Sequence, residues 1–257
     1  MENKVILISI DGMRPDGFLN CGNPFINDMM AMSTYTLSGS TVFPSVTLPC
    51  HMSMFHSVTP ALHGITTNLY TPPVRPVNGL FEQVDKMGGI SGMYYGWEPL
   101  RDVSRPESLK YAYYLNAYIE DDTDTTITDE ALKRIRKSKP DFVFLYMVET
   151  DQKGGHMAGW MSQGYLDVVS NAIKNVRRVY EEFGDEYTIV VTADHGGHDR
   201  THGSDMPEDM LIPVIIRGKA FEPGKDLGEI SILDIAPTVA KLAGVNPDSE
   251  WEGTSLI

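Results

Sequence analysis

The sequence has few cysteines, few basic residues and no long apolar run. Cys21 and Cys50 are its two cysteines, too few for a disulfide framework, and this usage fits a reducing compartment. No apolar run approaches the ~20 residues of a membrane-spanning helix. The first run, Val5–Ile10, is too short for a signal peptide and is followed by a charge. We therefore expect a cytoplasmic protein without a membrane segment.

The charge balance is strongly acidic. The chain has 35 Asp and Glu residues against 21 Lys and Arg, and its formal net charge is −14. This excess argues against nucleic acid and against anionic membranes as partners. A small anionic substrate stays open, because bound cations can dominate the field of a site. Nothing in the pattern indicates an oligomeric state.

The length and the pattern predict one α/β domain over residues 1–257. This length can bury a large core, and neither a repeat nor a low-complexity linker interrupts it. Val5–Ile10, Asp141–Val148 and Tyr187–Thr192 read as buried parallel strands. Amphipathic segments lie between and after them, at residues 79–87, 127–137, 162–183 and 231–242. The fold predicted is a mostly parallel central sheet with helices on both faces.

Three other segments carry weaker signals. Residues 97–126 have little periodicity, so we expect a small lid or insertion there. Within them, the acidic patch Glu120–Asp124 is typical of a solvated loop or helix start. Met210–Arg217 reads as a further strand, and Pro213 within it suggests a sheet edge or an irregular start.

Each of the three buried strands is followed by an aspartate. Asp11 comes directly after the first, Asp151 follows the second, and Asp194 follows the third. Taken singly, such a residue is as readily a turn former as a ligand. The carboxyl ends of parallel strands meet at one edge of a sheet, where α/β proteins place their sites. Together the three aspartates therefore predict one polar site.

Histidines follow two of these aspartates: His156, His195 and His202. Carboxylates and imidazoles gathered in one crevice would repel or stay unpaired without cations. Mixed nitrogen and oxygen ligands suit Zn, Mn or Fe. Six ligands divide into two sets of three, and two adjacent metal ions form a clamp for displacement at phosphorus.

Thr47 is the candidate nucleophile. It precedes Pro49 and a run with helical spacing, which places it at or just before a helix N-terminus. Free N–H groups and the helix dipole favour an anion there. Thr47 could simply be an N-cap. Placed between two metal ions, its hydroxyl could instead be activated for attack.

Several segments in the same order resemble one known family. The chain is similar to the alkaline phosphatase superfamily and, within it, to the type I phosphodiesterase/nucleotide pyrophosphatase branch. The segments that carry this resemblance are Thr47–Ile65 with its Pro-x-x-His-Gly-Ile ending, Asn68–Pro72, Tyr146–His156, the Asp-His-Gly signature at Asp194–Gly196, and His202–Gly203 with the residues after it up to Phe221.

The resemblance implies two divalent metal ions, most readily Zn, with Mn and Fe as alternatives. One ion would be held by Asp151, His156 and His202. The other would be held by a second set, Asp11, Asp194 and His195. Thr47 would bridge the two ions, attack phosphorus and form a covalent phospho-threonine that water cleaves. The implied substrate is a small phosphate ester, either a phosphodiester or a pyrophosphate-like compound.

Two departures from the family pattern bear on the mechanism. Cys50 stands where these phosphodiesterases usually have an asparagine that donates to a non-bridging oxygen, and a thiol donates poorly. Backbone N–H groups at the helix start, or Arg200, are the candidate replacements. The Asp151–His156 spacing is one residue longer than in the pattern, and the adjacent glycines could absorb it. His198 reads either as a ligand-orienting residue or as part of a surface loop.

Other functions stay open at this point. Phosphonate hydrolysis of the phosphonoacetate type, phosphomonoester hydrolysis and phosphomutase chemistry all belong to the same superfamily. Sulfatase chemistry is disfavoured, because the residues after Cys50 lack the Cys-x-Pro-x-Arg signature. A metal-bound domain that binds without catalysis is the alternative from another class.

Overall fold

Eight strands form one sheet within residues 3–257, the part of the chain that the computed structural model describes. In chain order they are β1 (Lys4–Ile10), β2 (Thr34–Ser40), β3 (Ser91–Tyr95), β4 (Tyr111–Tyr114), β5 (Phe142–Met147), β6 (Tyr187–Thr192), β7 (Leu211–Arg217) and β8 (Ile230–Ser231). Across the sheet their order is β4-β3-β5-β1-β6-β7-β2-β8.

The centre of the sheet is parallel, as predicted. β1 lies between β5 and β6, with Ile10 paired to Met147 and Ser9 paired to Thr192. All three strands are almost fully buried, which explains their unbroken apolar sequences. Because the three strands are in register, the residues that follow them emerge at one edge.

β7 is an interior strand, so the suggestion that Pro213 marks a sheet edge is wrong. β7 pairs antiparallel with β6 on one side and with β2 on the other. The pairing with β2 shifts between Thr36 and Gly39, opposite Pro213, and this bulge removes the need for the N–H that proline lacks. The irregularity that Pro213 predicted is therefore present, but within the sheet.

Helices cover both faces of the sheet. In chain order they are α1 (Pro15–Asn20), α2 (Phe25–Ala31), α3 (Thr47–His56), α4 (Pro60–His63), α5 (Leu80–Lys86), α6 (Thr123–Ser138), α7 (Gln163–Phe183), α8 (Pro207–Met210) and α9 (Ile235–Ala243). Helices α1, α2 and α6 pack with α7, whereas α3, α5 and α9 pack with one another. Among residues 3–257, no helix combines the length and the apolar character needed to cross a membrane.

The segment 97–126 is partly built into the sheet. It contains a 3₁₀ helix, Glu98–Val103, and the edge strand β4, before α6 begins at Thr123. The helix start expected at the acidic patch is present, since α6 begins at Thr123, but Asp124 in its first turn is buried and not solvated. Its carboxylate accepts the backbone N–H groups of Val148 and Glu149 at 2.9 and 3.2 Å. Asp124 thus joins the start of α6 to the end of β5.

Candidate metal centre

The three aspartates predicted at strand ends converge at the carboxyl edge of the sheet. Asp11 directly follows β1, and Gly12 behind it turns the chain with φ of +66°. Asp194 lies two residues beyond β6. Asp151 lies in a nine-residue π-helical turn, Thr150–Ala158, that follows β5. Strand register therefore brings residues that are more than 180 positions apart into one cluster.

The first cluster, here called the inner group, consists of Asp11, Asp194 and His195. Their ligand atoms lie within 4.8 Å of one another, and all three side chains are buried. His195 Nε2 lies 3.2 Å from Asp11 Oδ1 and 3.4 Å from Asp194 Oδ2. Neither carboxylate oxygen has a hydrogen-bond partner among the described residues. Two such buried acceptors fit the donor set of a cation site.

The second cluster, here called the outer group, consists of Asp151, His156 and His202. Asp151 Oδ1 lies 3.7 Å from His202 Nε2 and Asp151 Oδ2 lies 3.4 Å from His156 Nε2. Asp151 Oδ1 is buried and lacks a hydrogen-bond partner within residues 3–257. Ligand atoms of Asp151, His195 and His202 lie within 4.8 Å of one another, and His156 is not part of this set.

The two groups are in direct contact through their histidines. The rings of His195 and His202 stack with a centroid separation of 3.9 Å and an interplanar angle of 12°. His156 lies at the rim, with 43% of its side chain exposed, whereas His202 is 10% exposed. The arrangement is therefore a pair of adjacent sites, one sealed and one open toward solvent.

The three histidines all have their Nδ1 atoms fixed by backbone carbonyl groups. His195 Nδ1 lies 2.7 Å from Gly196 O, His156 Nδ1 2.9 Å from Arg200 O, and His202 Nδ1 2.8 Å from Ser45 O. A carbonyl oxygen only accepts, so each Nδ1 carries the proton. In a neutral ring, Nε2 then presents its lone pair to the carboxylates, which is the orientation of metal-binding histidines.

His51 shows the contrasting arrangement of a histidine without a free nitrogen. It is fully buried, with Nδ1 2.8 Å from Thr47 O and Nε2 3.1 Å from Ser9 Oγ. Both ring nitrogens are satisfied by the protein itself. Its ring packs edge-on against Phe144 and Tyr146 of β5, so this histidine belongs to the packing between α3 and the sheet.

Burial and mutual repulsion shift the pKa values of these carboxyl groups. Burial, followed by the charges of Asp194 and Asp151, raises the pKa of Asp11 well above its usual value. Burial also raises the pKa of Asp151 to about 6, although His202 and His156 oppose the shift. Burial lowers the pKa of His202 to about 4, so its ring is neutral at pH 7. Burial opposes the ionisation of Asp194 as well, but the neighbouring His195 and His51 lower its pKa, so the carboxylates of the cluster differ in how readily they ionise.

Thr47 lies at the start of α3 and faces the inner group. Val46 is the N-cap residue, so Thr47 is the first residue of the helix and does not cap it. Its Oγ1 lies 3.2 Å from His195 Nε2, and the side chain is buried. The structure therefore places the candidate nucleophile beside the inner group.

Cys50 and Arg200 do not face Thr47. The Cys50 thiol points toward the carbonyl oxygens of Val42 and Pro44, and burial raises its pKa. The Arg200 guanidinium donates to the carbonyl oxygens of Met157 and Ala158. Both side chains therefore donate to backbone carbonyl groups and not to Thr47.

Asn68 is the polar residue that lies at the N-terminus of α3. Its Oδ1 accepts the Leu48 N–H at 3.0 Å, so this backbone donor of the helix start is already used. The same bond holds the Asn68 amide beside Thr47 and leaves its Nδ2 to donate elsewhere. In the sequence, Asn68 belongs to the segment Asn68–Pro72, and nothing in that segment indicates a role for it.

Two further contacts support the ligand loops and were not predicted. The Tyr146 hydroxyl donates to Asp11. Asp209 is buried and accepts three hydrogen bonds, from His198 Nδ1 at 2.7 Å, from Ser204 N at 2.9 Å and from Ser204 Oγ at 2.7 Å. His198 thus braces the loop between His195 and His202. Its spacing could not reveal Asp209 as the partner, because that residue lies 11 positions away.

Tyr118 is an exposed aromatic residue of the segment 97–126. Loss of hydration and the negative charges of Asp11 and Asp151 raise its pKa. The side chain is otherwise largely exposed to solvent. An aromatic ring at this position offers a surface for a flat or apolar part of a substrate.

Similar sequences and structures were found among known proteins. The phosphopentomutase of Alkaliphilus metalliredigens is 27% identical over 125 residues, which cover 48% of this chain and 31% of that protein. The phosphopentomutase of Symbiobacterium thermophilum is 25% identical over 181 residues, which cover 70% of this chain and 43% of that protein. The matches thus span about a third to two fifths of these relatives.

Solved structures match over nearly the whole chain. Murine ectonucleotide pyrophosphatase/phosphodiesterase 5, as an inactive variant in complex with AMP, has a TM-score of 0.81 at 16% identity and 96% coverage of both chains. A phosphonate monoester hydrolase from Silicibacter pomeroyi has a TM-score of 0.78 at 14% identity and covers 99% of this chain and 76% of its own. These likenesses establish the fold, and both neighbours are members of the alkaline phosphatase superfamily.

A family model also matches residues 5–213, which include Thr47 and every residue of the inner and outer groups. The description of that model is type I phosphodiesterase/nucleotide pyrophosphatase. Because the match covers most of the chain, the resemblance carried by the motifs is confirmed. The chain belongs to the type I phosphodiesterase/nucleotide pyrophosphatase family of the alkaline phosphatase superfamily.

Proposed function

We propose that this protein hydrolyses small phosphate esters, of the phosphodiester or pyrophosphate class, with two divalent metal ions and Thr47 as nucleophile. The inner group would hold one ion and the outer group the other. Nitrogen and oxygen donors in sets of three suit Zn, and also Mn or Fe. When bound, the ions would lower the pKa of the Thr47 hydroxyl and neutralise negative charge on the phosphoryl group.

The orientation of the histidines is the observation that carries this proposal. His156, His195 and His202 all have Nδ1 bound to a backbone carbonyl oxygen, so Nε2 is the ring atom that faces Asp11, Asp151 and Asp194, and in a neutral ring it presents a lone pair to them. Lone pairs that face carboxylate oxygens in a buried crevice repel each other. The backbone carbonyl groups of Ser45, Gly196 and Arg200 hold this arrangement, and a bound cation would make it favourable.

The chemical step assigned to Thr47 is in-line attack on phosphorus. Its Oγ1 would form a bond to phosphorus while the bond to the leaving oxygen breaks, which leaves a phospho-threonine. Water would then attack the same phosphorus and release Thr47 with a free phosphate or phosphomonoester. The position of Thr47 in the first turn of α3 adds the positive end of the helix dipole to this step.

Asn68 is the residue that would stabilise the transferring group in place of Cys50. Its Oδ1 accepts the Leu48 N–H in the first turn of α3, and this contact leaves Nδ2 available as a donor. Loss of one such donor typically lowers turnover by about 10²–10³-fold. Tyr118 would contact the leaving group.

The test combines metal analysis with substitution of Thr47 in the full chain. Wild-type protein loaded with Zn or Mn should bind two ions and hydrolyse a chromogenic phosphodiester. Thr47→Ala should lose this turnover while it still binds both ions, and Thr47→Ser should retain part of it. Turnover that survives Thr47→Ala would show that the nucleophile is wrong. Fewer than two ions per chain at saturation would contradict the two-site assignment.

A phosphomutase is the second candidate, because both relatives described above are phosphopentomutases. In that reaction the phosphoryl group on Thr47 would pass to a second hydroxyl of the sugar phosphate instead of to water. Incubation with a pentose phosphate separates the two: isomer formation without free phosphate supports a mutase. Absence of turnover on diester, monoester, phosphonate and sugar-phosphate substrates would instead favour a domain that binds metal without catalysis.

A further inference from the structure

Trp160 is a buried residue that the proposed mechanism does not use. It lies between the π-helical turn that carries Asp151 and His156 and the start of α7, and only 7% of its surface is exposed. A tryptophan so close to a polar centre could be ordinary core. Its neighbours show a more specific arrangement.

The indole fills a space bounded by three glycines, one from each ligand-bearing loop. A β-carbon on Gly155 would lie 2.4 Å from the ring, and one on Gly197 would lie 2.2 Å from it. A β-carbon on Gly12 would lie 3.2 Å from both the ring and the Asp151 side chain. Gly12 follows Asp11, Gly155 precedes His156, and Gly197 follows Asp194 and His195. The ring therefore touches the backbone of all three loops.

Hydrogen bonds fix the indole in this position. Its Nε1 donates to Gly12 O at 2.9 Å, and the Trp160 backbone N–H donates to Asp199 O at 2.8 Å. The Tyr165 hydroxyl also donates to Gly12 O, at 3.0 Å. Trp160 is thus tied to the loop after β1 and to the loop after β6, while it belongs to the segment after β5.

The ring also packs against two histidines of the outer group. The indole packs edge-on against the ring of His156, with 5.2 Å between the ring centroids. It also packs edge-on against the ring of His202, with a centroid separation of 5.9 Å. Within residues 3–257, these are the two histidine rings against which the indole packs. The packing is therefore directed at the outer group, whose histidines come from two different loops and have no strand to hold them.

We propose that Trp160 is a positioning residue that wedges between the three ligand loops and sets the geometry of the outer group. This inference rests on the proposed function in one respect, namely that the outer group holds a metal ion. A side chain at position 155 or 197 would collide with the indole, and one at position 12 would be in tight contact with it. Outer-shell partners of metal ligands commonly contribute 10–100-fold to metal affinity.

The test is stepwise metal binding to metal-free full-length protein, with Trp160→Phe compared with Trp251→Phe. Trp251 is the matched control, because its Nε1 also donates to a backbone carbonyl, Asn78 O at 2.8 Å, away from the site. Trp160→Phe should weaken the second, outer ion by about 10–100-fold and leave the first unchanged. The visible absorption of bound Co²⁺ should also change. Trp251→Phe should bind both ions as wild type does.

A second pair of variants keeps the test decisive if Trp160→Phe folds poorly. Gly197→Ala should reproduce the weaker outer ion with the indole still present, because the new methyl group displaces the ring. Gly218→Ala is its control, since a β-carbon there would lie 2.6 Å from Thr188 at the opposite end of β6. Melting temperatures in EDTA identify any general loss of stability.

The outcomes separate the two proposals. Two ions in wild type, with equal affinities in wild type, Trp160→Phe and Gly197→Ala, would overturn the role of Trp160 alone. Fewer than two ions in wild type would overturn the proposed function on which that role rests. An equal loss of affinity for both ions in Trp160→Phe would show that Trp160 acts only as a general core residue.

Discussion

The inner and outer groups contain the same types of ligand but differ in how the chain holds them. Asp11 and Asp194 lie within two residues of strand ends, and the inner group is closed to solvent. The outer group depends on a π-helical turn and on the loop after β6, and His156 is 43% exposed. Strand register thus preorganises one site, whereas the other depends on loop packing. We expect a tightly held inner ion and a more exchangeable outer ion.

The largest effect is expected at the inner group. Asp194→Asn should remove the inner ion and lower turnover by at least ~10³-fold, because several kcal/mol of charge stabilisation is lost. Metal content and phosphodiester turnover measure the effect. Asp185→Asn is the control, since this carboxylate is fully exposed near the start of β6. Wild-type affinity for two ions in Asp194→Asn would contradict the inner assignment.

His156→Gln tests the outer group. Loss of one rim ligand should weaken the outer ion by about 10–100-fold while the inner ion stays bound, because the inner ligands do not depend on this loop. Titration of the metal-free protein with Zn resolves the two steps. His63→Asn, which removes an imidazole outside both groups, should leave both steps unchanged. An equal loss of both ions would show that the groups are not independent.

Asp124→Asn tests the support beneath the outer group. The Asp124 carboxylate now accepts hydrogen bonds from the Val148 and Glu149 N–H groups. An asparagine would place its own NH₂ group against one of these donors, and that backbone N–H would lose its acceptor. The free energy of unfolding should fall by about 1–3 kcal/mol, as expected for a buried donor left unsatisfied. Denaturant unfolding measures this change. Asp129→Asn, on the exposed face of α6, should change stability by less than ~1 kcal/mol.

The smallest effect at neutral pH is expected at His63, which lies outside both groups. Burial lowers its pKa to about 4, and its Nε2 lies 3.0 Å from Ser53 Oγ. In the unfolded chain His63 is protonated below about pH 6.5, whereas in the folded protein it is protonated only below about pH 4. The free energy of unfolding therefore falls as the pH drops through this window.

His63→Asn should remove this acid sensitivity. One pKa unit corresponds to about 1.4 kcal/mol, so the full shift would be worth about 3 kcal/mol at pH 4. The loss of unfolding free energy between pH 7 and pH 4 should be smaller in the variant by about 1–2 kcal/mol, because protonated His63 gains some solvation. An identical pH profile would show that His63 titrates normally in the folded protein.

Some features of the site could be predicted because they depend on the chain locally. Apolar runs of six to eight residues, each followed by an aspartate, predicted β1, β5 and β6 and the edge where their ends meet. Helical spacing after Thr47 predicted the N-terminus of α3. Pro213 predicted an irregular pairing, although not that β7 lies inside the sheet, because strand order is a property of the whole fold.

Other features could not be predicted because their partners are distant in sequence. Asp124 looked like part of a solvated patch, yet it is buried against residues 24 and 25 positions away. Cys50 looked like a lost donor, while Asn68 lies at the helix start where a donor is needed. Neither sequence pattern indicates which backbone groups a side chain will meet.

The sequence by itself determined the strands, the aspartates at their ends and the family to which the chain belongs. Only the tertiary structure decided which nitrogen of each histidine faces the carboxylates. Backbone carbonyl groups of Ser45, Gly196 and Arg200 make that choice, and two of them lie 44 and 157 positions from their histidines. The spacing of apolar residues in the sequence indicates which residues are buried. The direction of a buried lone pair depends on contacts that form only when the chain has folded.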